Sequence, residues 1–103
     1  MGRYIVKLPH PERPYIEWSS ISDAPTTYGL SREEMLVYLR LRQDHRTEPP
    51  EDRLARADDT GTSAWNSTLE EVLSCNRAGP NEEHLTAEEI VARYCGEEHP
   101  RPA

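Results

Sequence analysis

The sequence predicts an α+β fold: an N-terminal β-hairpin packed on a helix (ββα), a polar linker, and a C-terminal α-hairpin. Three observations lead there. Two short β-rich runs flank a proline-rich turn within residues 3–21. Three phrases share one form: Ser31-Arg32-Glu33-Glu34-Met35-Leu36, Thr68-Leu69-Glu70-Glu71-Val72-Leu73 and Thr86-Ala87-Glu88-Glu89-Ile90-Val91. Between the first phrase and the second lies a stretch rich in Pro, Asp and Arg, with few apolar residues.

In the first β-rich run, Tyr4, Val6 and Leu8 alternate with Arg3 and Lys7. That period of two marks a strand with one apolar face. Pro9-His10-Pro11-Glu12-Arg13-Pro14 is a turn, because proline fixes φ and removes a backbone donor. Residues 15–21 read as a second strand, with Ile16 and Trp18 on one face. An isolated hairpin is marginal in water, so this one must lie on another element, and the first helix is the nearest candidate. Trp18 and Tyr38 are then expected to meet in a ββα core, with residues 23–29 a loop.

The three similar phrases are helix starts. In each, a Ser or Thr hydroxyl can accept from a free backbone N–H while the glutamate three residues on reaches back, the reciprocal pair of a capping box. Leu30 with Met35, and Leu85 with Ile90, add a hydrophobic staple; Ser67 denies one to the middle phrase. Glu33, Glu70 and Glu88 fall in first turns, where the helix dipole favours negative charge. Helices are expected over about 32–44, 69–78 and 87–95. Met35, Leu36, Leu39 and Gln43 form the buried stripe of the first, broadened by Tyr38 and Leu41; Leu69, Val72 and Leu73 turn inward on the second, and Ile90, Val91 and Tyr94 on the third. Gly79-Pro80 should stop the second helix and Gly96 the third. The organisation is one small domain: a ββα unit over 1–46, a polar linker or short helix over 47–62, a helical hairpin over 63–96 and a fraying tail over 97–103. In the linker, Pro50 could open a helical turn reaching about Ala57.

Charge narrows the function. The chain carries a net −7, with seven Lys/Arg against six Asp/Glu up to residue 46 and five against thirteen beyond it. That balance disfavours a general phosphate-binding surface and suits a basic protein partner. Arg40, Arg42 and Arg46 are the basic run that a nucleic-acid-associated regulator would use, diluted by Asp44, Glu48, Glu51 and Asp52.

No motif supplies a catalytic nucleophile, a Gly-rich phosphate loop or a cofactor cradle. The chain reads as a non-enzyme without a cofactor. Cys75, His84, Cys95 and His99 are the conceivable zinc set, but structural zinc sites bring their ligands in close pairs and this spacing does not, so no metal is expected. The cysteines read instead as small core residues of two antiparallel helices. With no leader and no long apolar run, the reading is cytoplasmic, with reduced thiols and no membrane contact. Tyr15, Tyr28 and Trp65 are the aromatic candidates for a partner surface, joined by Arg40 and Arg42. An open hairpin edge would also allow a homodimer.

Trp18-Ser19, Asp23-Ala24-Pro25 and Ser31-Arg32-Glu33-Glu34, set within residues 3–40, resemble the small accessory proteins of actinobacterial phages. The eleven Arg against one Lys agree with a GC-rich source. The resemblance implies a phage protein working in a bacterial host by docking on and modulating a host or phage protein, or a structural part of a phage particle, and it carries no activity with it.

Overall fold

The computed structural model describes residues 3–41, 49–64 and 67–95. Its elements are β1 (Arg3–Lys7), β2 (Tyr15–Ser19), β3 (Ala24–Pro25), α1 (Arg32–Leu41), α2 (Pro50–Thr60), α3 (Leu69–Ser74) and α4 (Ala87–Tyr94), with a single helical turn at Pro80–Glu82. The strands form one antiparallel sheet in the order β1-β2-β3. β1 pairs with β2 in the register Arg3 to Ser19 through Lys7 to Tyr15. β3 lies within the segment expected to be a loop. Its two residues pair with Trp18 and Ser19, after a turn in which the Ser19 hydroxyl accepts from the N–H groups of Ile21 and Ser22.

The main departure from expectation is that helices cover both faces of the sheet. Val6, Leu8, Ile16 and Trp18 pack with Val72, Ala78, Ile90 and Cys95, on the side of α3 and α4. Ile5 and Tyr15 pack on the opposite side with Leu30, Met35, Leu39, Leu54 and Ala57, beneath α1 and α2. Trp18 and Tyr38 therefore do not share a core; the sheet stands between them. The alternation in β1 conceals this, because Ile5 sits in the polar phase between Arg3 and Lys7 and is yet fully buried. Arg3 and Lys7 lie at the strand ends, where long side chains can lay their stems on the sheet and keep their charges at the margin. The indole N–H of Trp18 is the buried side-chain polar atom without a partner among the described residues. Leaving it so costs about 1–3 kcal/mol, offset by burial of the largest side chain in the cluster.

Of the polar linker or short helix expected over 47–62, residues 50–60 form the helix. Pro50 opens α2, Leu54 and Ala57 are fully buried, and Gly61 closes the helix in the left-handed region at φ 92°, donating its N–H to the Ala57 carbonyl. The chain then runs antiparallel beside β1. Lys7 N–H donates to the Gly61 carbonyl at 2.8 Å and Ser63 N–H to the Ile5 carbonyl at 2.9 Å; the Ser63 hydroxyl accepts from Ile5 N–H at 2.8 Å and the Thr62 hydroxyl donates to the Ile5 carbonyl at 3.0 Å. The open hairpin edge expected from the sequence is thus occupied by the chain itself. On the far side, β2 is flanked by β3 and by a bridge from Tyr15 to Leu30.

All three capping boxes form. Both reciprocal hydrogen bonds are present between Ser31 and Glu34, Thr68 and Glu71, and Thr86 and Glu89. Leu30 and Met35 pack in one cluster, Leu85 and Ile90 in the other. Leu41, assigned to the buried stripe of α1, is instead 74% exposed, and Gln43 lies outside the described residues. α3 ends at Ser74 rather than near residue 78. Asn76 is the cause: its side-chain N–H groups donate to the carbonyls of Leu73 and Leu85, and its oxygen accepts from the N–H groups of Ala78 and Leu85. Both donors and the acceptor of one buried amide are thereby satisfied, and the chain is turned before Gly79 is reached. At the other end of the hairpin, the Gly29 N–H donates to the Tyr94 carbonyl, and a Cβ at Gly29 would stand 2.6 Å from the Arg13 carbonyl oxygen and 2.9 Å from the Cys95 sulfur. Glycine is what lets α4 close on this loop.

If α2 is integral, Leu54→Ala should destabilise the whole domain by about 2–5 kcal/mol, the range for emptying a fully buried aliphatic site. Denaturant unfolding checks this; a cost below about 0.5 kcal/mol would mark residues 50–60 as a linker.

Candidate functional site

The densest polar constellation lies at the margin of the α1–α2 face. Asp58 on α2 gathers one group from each of three other elements. The Tyr15 hydroxyl of β2 donates to its Oδ1 at 2.5 Å, the Lys7 ammonium of β1 to the same oxygen at 3.1 Å, and the Arg32 guanidinium of α1 to Oδ2 at 2.6 Å. Arg32 also lies 3.3 Å from the Tyr15 oxygen, and the Lys7 charge stands over the Tyr15 ring. Burial on its own would push the Asp58 carboxyl up; the hydrogen bonds from Tyr15 and Lys7, with the charges of Lys7 and Arg32, outweigh it and hold the carboxyl below its usual range. Burial and the Asp58 carboxylate together push the Tyr15 phenol up, so the phenol stays protonated as a donor.

A second carboxylate lies two residues along the same face of β2. The Glu17 side chain is 4% exposed. Its Oε1 accepts from the hydroxyls of Thr26 at 2.6 Å and Tyr38 at 2.8 Å, with Arg3 3.5 Å away. Together the two sites pair every polar side chain that β1 and the centre of β2 turn toward α1 and α2. Chemically they form a clamp. The Asp58 carboxylate, held low by its donors, is a poor proton acceptor, and Oε1 of Glu17 is occupied by two hydroxyl donors.

The residues singled out from the sequence lie apart. Tyr15 is 4% exposed and belongs to the clamp. Tyr28 is half-buried, its ring 5.8 Å from that of Tyr94. Arg40 is exposed and paired with Glu51. Trp65 and Arg42 lie outside the described residues, as does His99 of the conceivable zinc set. Of the rest of that set, Cys95 is buried while Cys75 is exposed, so Cys75 is no core residue; its thiol donates to the Glu71 carbonyl instead. The His84 Nδ1 faces the Asn76 carbonyl at 3.1 Å. No group of three or more His, Cys, Asp and Glu is arranged to hold a metal ion among the described residues. Burial pushes the Cys95 thiol up to about 11, the opposite of what a nucleophile needs.

Sequence reasoning missed Asp58 and Glu17. Asp58 stands four residues after the buried Leu54 and, though exposed, borders the buried face of α2, which is the signal that could have flagged it. Glu17 has the pattern of a solvent-facing residue, and only the cover on the second face of the sheet makes it buried.

No family model, curated protein or solved structure matches the chain. No helix among the described residues is long and apolar enough to cross a membrane.

Because its folded carboxyl titrates below the ordinary value, Asp58 contributes stability above about pH 4, the ordinary aspartate range, and that contribution fades as pH falls through its lower folded value. Because Asp58 and its cationic partners are substantially exposed and solvent screens them, Asp58→Asn should cost about 1 kcal/mol or less at pH 7 and flatten the acid limb of the stability curve. Thermal unfolding of both proteins between pH 2.5 and 7 reads this directly.

Proposed function

We propose that this chain is a non-catalytic protein-binding module, as its resemblance to actinobacterial phage accessory proteins implies, and that it docks through the outer face of α1. The observation that carries the reading is the pair Val37 and Leu41. They are four residues apart on one helix and 54% and 74% exposed, the large apolar side chains that α1 leaves in solvent. Exposed Glu33 lies one turn before Val37 on the same stripe. With a net charge of −7, the stripe suits a partner that offers an apolar groove rimmed by basic groups. Docking by strand addition is disfavoured, since residues 61–63 already use the outward hydrogen-bonding groups of Ile5 and Lys7.

The alternative is a nucleic-acid-associated regulator using Arg40, Arg42 and Arg46. Arg40 is exposed and ion-paired with Glu51, so a phosphate contact there would compete with that pair; Arg42 and Arg46 lie outside the described residues.

The test is affinity capture from an actinobacterial lysate after nuclease treatment, followed by titration calorimetry with the purified candidate partner. The double variant Val37→Glu/Leu41→Glu should keep its thermal stability within about 0.5 kcal/mol, as exposed substitutions do. Its affinity for the partner should fall at least tenfold, and wild-type affinity should weaken with added salt. Binding indifferent to the double substitution would remove α1 as the docking face, and binding lost on nuclease treatment would favour the alternative.

A further inference from the structure

The β1–β2 turn is closed by a histidine side chain. Prolines at 9, 11 and 14 leave residues 8–14 with four backbone N–H groups. Leu8 N–H donates to the Pro14 carbonyl and His10 N–H to the Leu8 carbonyl, both at 2.8 Å. The other two converge on one atom, the His10 Nδ1, which accepts from Arg13 N–H at 2.9 Å and Glu12 N–H at 3.3 Å. An imidazole nitrogen that accepts two hydrogen bonds carries no proton, so the neutral ring holds its hydrogen on Nε2. His84 has the opposite polarity: its Nδ1 faces a carbonyl and must donate.

We propose that His10 is a proton-operated latch on this turn. A solvent proton taken on Nδ1 turns the acceptor into a donor pointed at two N–H groups, and both bonds are lost together. Few local replacements exist, because three of the seven residues are prolines. The charged neighbours of His10 within the turn are Glu12 and Arg13, whose backbone N–H groups it accepts from. At the C-terminal end of α4, the capping residue Cys95 lies against the same segment: Gly29 sits between its sulfur and the Arg13 carbonyl. The Cys95 thiol, pushed up to about 11, stays neutral throughout the range in which histidine titrates and does not compete for the response. Protonation of His84 leaves its own bond to Asn76 intact, since Nδ1 remains a donor, so the two histidines of the described fold should answer acid differently. The latch frees the segment leading into β2 without unfolding the sheet, whose Tyr15 is held independently by Asp58.

The experiment is ¹⁵N NMR of the full chain between pH 8 and pH 5, with His10→Asn as the second protein. At pH 8 His10 should show the Nε2–H tautomer and His84 the Nδ1–H tautomer. As His10 titrates, the amides of Glu12 and Arg13 should shift. Their protection from hydrogen exchange, corrected for intrinsic pH effects, should fall roughly tenfold, the equivalent of a lost hydrogen bond, while Val6 is unchanged. In His10→Asn, whose side-chain oxygen can accept the same two bonds and does not titrate, the response should disappear. Glu12 and Arg13 amides that ignore the His10 titration, a His10 tautomer protonated on Nδ1 at pH 8, or an undiminished pH response in His10→Asn would each overturn the latch.

Discussion

Burial of β2 on both faces is the constraint on which the rest of this structure depends. All five of its residues, Tyr15 through Ser19, are buried. In a strand with one wet face, Tyr15 and Glu17 could have left their polar atoms to water. Here those atoms must be satisfied by protein, and the elements around the sheet supply the partners. α2 brings Asp58 to the Tyr15 hydroxyl, and α1 brings Tyr38 to Glu17. A helix displaced from this face would leave a buried polar group unpaired, at about 1–3 kcal/mol or more for a charged one. Polar satisfaction thus sets where the helices sit, and apolar burial supplies most of the energy that holds them there.

The same constraint explains why a chain this polar folds around a core at all. Only 35% of its residues are hydrophobic, yet two clusters form, because the short sheet serves both from its opposite faces. One hairpin does the work of two half-cores. Its edges are treated alike: residues 61–63 occupy the outward groups of β1, and the chain after β2 folds back as β3 and the Leu30 bridge. Proline at position 25 has no N–H to offer beyond that edge. A sheet closed in this way is a poor template for strand addition, which moves attention to the helix surfaces for any partner.

Local signals in the sequence are legible because they rest on local physics. The capping boxes at Ser31, Thr68 and Thr86 need only residues three apart. The hairpin needs only alternation and a proline-rich turn. What is not legible is set by distant neighbours. Ile5 shares its strand phase with Arg3 and Lys7 and so has the position of a solvent-facing residue until α2 lies over it. Asn76 ends α3 because Leu85, nine residues away, completes its hydrogen bonds, so the Gly79-Pro80 signal is a true stop that comes too late. The clamp around Asp58 joins residues 26 to 51 positions apart, a separation that no spacing rule covers.

The enclosure of β1 is tested most directly by native-state hydrogen exchange at its two kinds of amide. Tyr4 and Val6 face β2, whereas the Ile5 and Lys7 N–H groups face outward to Ser63 and Gly61. If residues 50–63 are part of the core, Ile5 and Lys7 should exchange as slowly as Val6, at the rate of global unfolding. Fast exchange at Ile5 and Lys7 beside a protected Val6 would mean an open edge and a hairpin covered on one face only, which contradicts a sheet buried on both sides.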